Sequence, residues 1–278
     1  MEMNKICDLE NCDPNDLSRP SVSPTDRRLF LAGALALPLA TILANVDLAE
    51  AQAAKGVSIK QTTADGRTVS AYFAEADKKD APVVILIHEW WGLNDNIKTM
   101  AEDIRAKGFH AIAIDQFNGS VATNRDEAKT QTKAVKASEA NATIAAWVDW
   151  AKANGNGNGK VATLGRCFGG GWSLSAALNT KLDAAVIYYG RVTANADSLQ
   201  KLNAPLLGHF GTLDKSINPE MVGAFQKNLA QAGKSDLMTT HCYTAGHAVA
   251  NPTGGRYDED DAALAWARTH TFLAAHLR

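Results

Sequence analysis

Residues 161–171 read Val-Ala-Thr-Leu-Gly-Arg-Cys-Phe-Gly-Gly-Gly: an apolar run, a cysteine flanked by glycines, then the start of a helical pattern. This is the G-x-S-x-G form of a strand-to-helix elbow, with Cys167 where serine usually stands. A side chain at such a sharp turn sits in strained backbone, and only tiny neighbours let the two elements pass closely. The thiol then points out over the sheet edge, and the following helix aims its N-terminal amides at it, which favours the thiolate. A dinucleotide loop would need glycine at position 167, so that reading fails. A structural cysteine beside packing glycines is the remaining alternative. Two further residues weigh against it. Asp214 closes His209-Phe210-Gly211-Thr212-Leu213-Asp214, and His247 closes Tyr243-Thr244-Ala245-Gly246-His247. Each follows its own strand-like run, so nucleophile, acid and histidine can meet at one sheet edge.

The elements needed to position these residues are legible as an alternation. Short runs rich in Val, Ile, Leu and aromatics at 68–73, 83–88, 110–114, 161–164, 184–189, 206–210 and 237–243 are expected strands. The unbroken apolar runs at 83–87 and 184–187 are expected to be buried on both faces. Helical patterns lie between them at 97–107, 126–154, 170–178, 219–232 and 258–276, and the Asn-Gly repeat at 154–159 is an expected turn. Strands alternating with helices predict one α/β domain over residues 54–278, a mostly parallel sheet with helices on both faces. Such sheets carry their chemistry at the carboxyl ends of the strands, where Cys167, Asp214 and His247 fall.

The totals exclude several classes. The chain has 278 residues, 46% of them hydrophobic and 21% charged, with a net charge of -2, so it is neither a disordered tail nor a nucleic-acid or anionic-membrane binder by charge. Four cysteines are too few for a disulfide framework. The first 53 residues read as an address. Arg27-Arg28 precede an Ala/Leu-rich stretch that ends in Ala51-Gln52-Ala53, the small-x-small form accepted by a signal peptidase. This resembles a bacterial twin-arginine export signal, cleaved after Ala53, which places the mature protein in the periplasm or outside the cell. The only partner implied there is the export machinery, met transiently. Retention as a membrane anchor is the alternative, disfavoured by Gly33, Pro38, Thr41 and Asn45 within the stretch. Cys7 and Cys12 would leave with the signal. Cys167 and Cys242 would remain, with one disulfide between them open as an alternative in an oxidising compartment.

The chain order Cys167, Asp214, His247 is that of the α/β-hydrolase fold. From about Val57 to Leu277 the sequence resembles a dienelactone hydrolase, the cysteine-dependent branch of that fold. The resemblance rests on His88-Glu89-Trp90-Trp91-Gly92-Leu93, on the Cys167 elbow and on Gly246-His247-Ala248. It implies hydrolysis of a small-molecule ester or enol-lactone without a cofactor. It also implies a Glu89 carboxylate that rests by the thiol and is rearranged by substrate, and an oxyanion hole from the backbone amides of Trp90 and Phe168. The residues support Glu89 independently, because it ends the most apolar run of the chain, where a carboxylate is costly unless used. Trp91 is expected to wall the pocket. Family members hold an anionic substrate with two arginines. Arg125 matches one of them, and the other position, four residues after the histidine, is Asn251, with Arg256 nearby as a substitute. Either arginine also reads as a solvated surface charge.

Three other readings compete. A metal site would have to draw on His241, Cys242 and His247, but adjacent strand residues point to opposite faces. The chain could instead be a non-catalytic binding protein on the same fold, though every triad position is filled. A general periplasmic carboxylesterase is the third, disfavoured by cysteine because unactivated alkyl esters have poor leaving groups.

Overall fold

A computed structural model describes residues 39–153 and 157–278. Cys7, Cys12, the twin arginine and the first half of the Asn-Gly turn lie outside the described residues.

Eight strands form one sheet: β1 (Val57–Thr62), β2 (Thr68–Ala74), β3 (Val83–Ile87), β4 (His110–Ile114), β5 (Val161–Arg166), β6 (Ala184–Tyr188), β7 (Leu206–Gly211) and β8 (Met238–Tyr243). Their spatial order is β1-β2-β4-β3-β5-β6-β7-β8. Only the β1/β2 and β2/β4 pairs are antiparallel. The remaining pairs are parallel, as the crossover helices require. All five residues of β3 are buried, which explains its unbroken apolar run. Val84 and Leu86 point into one core layer, with Ile97, Met100 and Ile104 of α3 (Asp95–Ala106) and Leu273 and Leu277 of α9 (Glu259–Leu277). Val83, Ile85 and Ile87 point into the other, against Ile144, Trp147 and Val148 of α5 (Ala137–Lys152). The sheet is therefore sandwiched between two helical layers. On the second face α6 (Phe168–Asn179) and α8 (Pro219–Gln231) extend the cover, through Leu174, Ala177, Val222 and Phe225.

The structure departs from the sequence reading in three places. The single helix expected over 126–154 is two: α4 (Arg125–Ala134) and α5, separated by extended backbone at Val135 and Lys136. The two halves have different tasks. Gln131 of α4 reaches the Trp90 carbonyl at the site, whereas α5 lies flat on the sheet. β1 is an edge strand whose residues are half-buried or exposed, and its Val-Ser-Ile-Lys-Gln-Thr sequence has too little apolar alternation to announce it. The short helix α7 (Ala196–Leu199) has the same problem of length.

The described end of the expected export signal folds into α1 (Leu39–Leu43) and α2 (Val46–Ala53). These pack on α3: Leu43 joins the core, and the Thr99 hydroxyl donates to the Ala49 carbonyl at 2.9 Å. Among the described residues no helix is long and apolar enough to cross a membrane.

Candidate active site

Cys167 is the residue between β5 and α6, with φ 50° and ψ −113°, a left-handed conformation that non-glycine residues rarely hold. The glycines around it make this turn possible. A Cβ on Gly165 would lie 1.9 Å from the Gly169 carbonyl oxygen, and one on Gly169 would lie 2.1 Å from the Ile87 carbonyl oxygen. The elbow therefore binds β5, α6 and the end of β3 into one close junction.

The three strand-end residues converge. Cys167 Sγ lies 3.1 Å from His247 Nε2, and His247 Nδ1 lies 2.7 Å from Asp214 Oδ2. Asp214 is buried, and its other oxygen accepts the backbone N–H groups of Ser216 (2.7 Å) and Ile217 (3.0 Å). Burial would raise this carboxyl, but the hydrogen bonds from His247 and the two amides hold it below its ordinary value. Burial likewise opposes charge on His247. The bonds to Asp214 and Cys167 outweigh it and push the imidazole up to about 10. Cys167 and Cys242 are not joined by a disulfide.

Glu89 follows β3 and is buried, and burial raises its carboxyl above the ordinary range despite the nearby Arg166 guanidinium. Its oxygens accept from the Tyr189 hydroxyl (3.2 Å) and from Asn251 Nδ2 (2.7 Å). The resemblance led to the expectation of a carboxylate resting by the thiol. Here the sulfur faces His247, and the Asn251 amide, at the position where the resemblance implies an arginine, holds Glu89. Arg166, the residue before Cys167, is buried, donates to the Ala250 carbonyl at 3.0 Å and lies over the Tyr188 and Trp266 rings.

His88 has a part in this site that the sequence reading missed. It is buried, and its Nε2 accepts the Gln116 N–H at 3.0 Å, which leaves Nδ1 to donate to the Glu89 carbonyl at 2.7 Å. Burial keeps the ring neutral, holding it below the ordinary histidine value. The Glu89 carbonyl and the Trp90 N–H belong to one planar peptide unit and point opposite ways, so His88 fixes where that N–H points. The imidazole also stacks on the Phe168 ring, with 6.0 Å between centroids and 14° between planes. Among the described residues no backbone carbonyl takes the N–H of Trp90 or of Phe168. A buried polar residue ending an all-apolar strand was the available signal, since such a group needs partners.

One cavity of about 980 Å³ collects Glu89, Trp90, Trp91, Cys167, Phe168 and His247, and Arg125 and Arg256 also reach its wall. Asp214 stands behind His247, outside the lining. Arg125 is the first residue of α4, after the Asn124 cap, and both it and Arg256 are exposed. Arg191, which the sequence reading did not single out, lines the cavity as well. Among the described residues no three His, Cys, Asp or Glu side chains gather as a metal ion would need. His241 stacks on buried His209.

The model of the dienelactone hydrolase family matches residues 69–277. The chain belongs to the dienelactone hydrolase family. It is accordingly a hydrolase of ester or lactone bonds. A putative carboxymethylenebutenolidase of Escherichia coli O157:H7 is 30% identical over 222 residues, covering 73% of this chain and 81% of that protein. One from Saccharolobus solfataricus is 26% identical over 249 residues, covering 75% of this chain and 95% of that one. Among solved structures, a putative dienelactone hydrolase from Klebsiella pneumoniae superposes with a TM-score of 0.70 at 24% identity, over 79% of this chain and 98% of that chain. A dienelactone hydrolase-like promiscuous phosphotriesterase, P91, from metagenomic libraries gives 0.72 at 21% identity, over 81% and 100%. At these identities the structural likeness speaks for the α/β-hydrolase fold alone.

Proposed function

We propose that this dienelactone hydrolase family member cleaves esters or enol-lactones through a covalent thioester on Cys167. One observation carries the reading: sulfur, imidazole and carboxylate stand in a single line of hydrogen bonds, 3.1 Å and then 2.7 Å, at the wall of a cavity large enough for a small molecule. His247, pushed up to about 10, holds a proton at neutral pH, and its Nε2 lies 3.1 Å from the Cys167 sulfur.

The thiolate attacks the substrate carbonyl carbon, and the carbonyl electron pair moves to oxygen. The Trp90 and Phe168 N–H groups receive that oxyanion, with His88 fixing the first of them. The tetrahedral adduct collapses, the carbon–oxygen bond breaks, and His247 Nε2 gives its proton to the departing alkoxide or enolate. Water then enters, loses a proton to His247 and attacks the thioester. The carbon–sulfur bond breaks, returning the thiolate and releasing the acid. An enol leaving group departs readily, which suits a cysteine nucleophile. Glu89, held by Tyr189 and Asn251, lines the same cavity as Cys167. Arg125 and Arg256 make an anionic substrate group acceptable at the mouth.

The test is hydrolysis of a dienelactone and of an activated neutral aryl ester by the purified protein beside Cys167→Ala. Turnover that disappears in the variant supports the reading; turnover that persists, or none in folded reduced protein, refutes it. A dienelactone preference lost in Arg125→Ala would make that arginine the anion anchor. We further propose twin-arginine export and processing after Ala53, from the Arg27-Arg28 and Ala51-Gln52-Ala53 signals. Intact-mass measurement of the protein from the periplasmic fraction tests it, and an unprocessed chain there would refute it.

A further inference from the structure

α6 begins at the residue after Cys167, and its sequence, Phe-Gly-Gly-Gly-Trp-Ser-Leu-Ser-Ala-Ala-Leu-Asn, contains no charge. Gly169, Gly170, Ser173, Leu174, Ala176 and Ala177 are buried. The other stripe, Phe168, Gly171, Trp172, Ser175 and Leu178, is half-buried, at the spacing of one helix face. An outer-layer helix normally turns a polar stripe to solvent. Here that stripe carries Phe168, Trp172 and Leu178, with Gly171 and Ser175 between them and no charge, and all five residues line the cavity that holds Cys167. Its single hydroxyl is already committed, since Ser175 Oγ donates to Asn141 Oδ1 at 2.8 Å. From Phe168 to Leu178 the helix rises about 15 Å. Ile217 and Ala194 add further apolar wall. The cavity therefore runs far beyond the sulfur and the two oxyanion amides, at the upper end of the size range of small-molecule sites.

We infer that this trench is an acyl subsite, and that the enzyme's substrates carry an extended apolar or aromatic arm on the carbonyl carbon rather than being compact lactones alone. The inference rests on Cys167 catalysis and adds the shape of the acyl group. The leaving group must face His247 Nε2, which protonates it, so the arm along α6 is the part retained in the thioester.

The experiment is kcat/KM for p-nitrophenyl acetate, butanoate, hexanoate, octanoate and phenylbutanoate, with the leaving group held constant. Burial of a methylene against a half-open apolar wall is worth about twofold, so the octanoate-to-acetate ratio should reach roughly 60 across six methylenes. Leu178→Gln should lower that ratio about tenfold. Thr193→Trp, at an exposed cavity position on the loop after β6, should lower it similarly without touching the core. A ratio near one in wild type overturns the inference, as does a ratio unchanged in both variants. Turnover that survives Cys167→Ala would overturn the cysteine reading and this inference together. A flat series that still depends on Cys167 removes the subsite alone.

Discussion

Replacing Asp214 with asparagine changes one atom and leaves the shape of the site in place. Oδ1 of Asp214 accepts two backbone amides, Ser216 at 2.7 Å and Ile217 at 3.0 Å, and the side chain is shut off from solvent. In Asp214→Asn the amide oxygen must keep that position, because the alternative leaves two buried N–H groups orphaned at about 1–3 kcal/mol each. The Asn nitrogen then faces His247 Nδ1, where Oδ2 now stands at 2.7 Å. Donor meets donor unless the imidazole changes tautomer, and the changed tautomer carries its proton on Nε2 while neutral, so it can no longer take one from the thiol. Loss of the charge-assisted bond alone is worth about 1.5–3 kcal/mol, or roughly 10- to 150-fold. The wrong tautomer adds to this, and the same substitution in a serine triad costs about 10⁴ in kcat. We expect kcat for an aryl ester to fall about 10³- to 10⁴-fold with KM little changed, in a variant that still folds but with a lowered thermal midpoint, because the bond that raises His247 in the folded state is lost. The His247 value of about 10 should fall in the variant, since the Asp214 hydrogen bond is the largest contribution holding it up. A loss of less than tenfold in a folded variant would refute the triad geometry.

Other substitutions probe separate parts of the site. His88→Phe keeps a flat ring against Phe168 but removes the shorter of the two hydrogen bonds on the Glu89 carbonyl, leaving only the Gly92 N–H at 3.2 Å, so kcat should fall up to about 10²-fold. His88→Asn, whose Nδ2 replaces Nδ1, should restore most of that loss, and iodoacetamide labelling of Cys167 should be equal in both; no rescue by Asn would refute the peptide-orienting role. Gly169→Ala places a Cβ 2.1 Å from the Ile87 carbonyl oxygen, a backbone atom, so the variant should show a much lower thermal midpoint or no soluble protein; a midpoint equal to wild type would refute the tight junction. NMR titration of the imidazole should find His247 protonated through neutral pH and up to about 10, with a lower value in Cys167→Ala, because the sulfur contact also raises it. An unchanged titration would show that the ring and the sulfur do not interact.

Most of the frame was legible because its signals are local. The five-residue apolar runs of β3 and β6 can be buried only inside a parallel sheet, and the glycines at 165 and 169 admit only a tight elbow. Cys167, Asp214 and His247 each follow a strand, so one topological rule brought them together. Less legible were features set by tertiary contact. The break between α4 and α5 carries no glycine or proline, and it arises because one half serves the site and the other the sheet. The burial of a charged residue such as Arg166 shows only once Tyr188, Trp266 and the Ala250 carbonyl close around it. The grip of Tyr189 and Asn251 on Glu89 spans 100 and 162 residues of chain, a separation at which sequence spacing carries no information.

The central claim is a covalent acyl group on the Cys167 sulfur. Acid quenching within the first turnover of an aryl ester, followed by peptide mass spectrometry, reads it directly. The account predicts a peptide spanning Cys167 that is heavier by one acyl group, and no such peptide in Cys167→Ala. An unmodified Cys167 peptide during steady turnover, or an acyl group found on another residue, would contradict it.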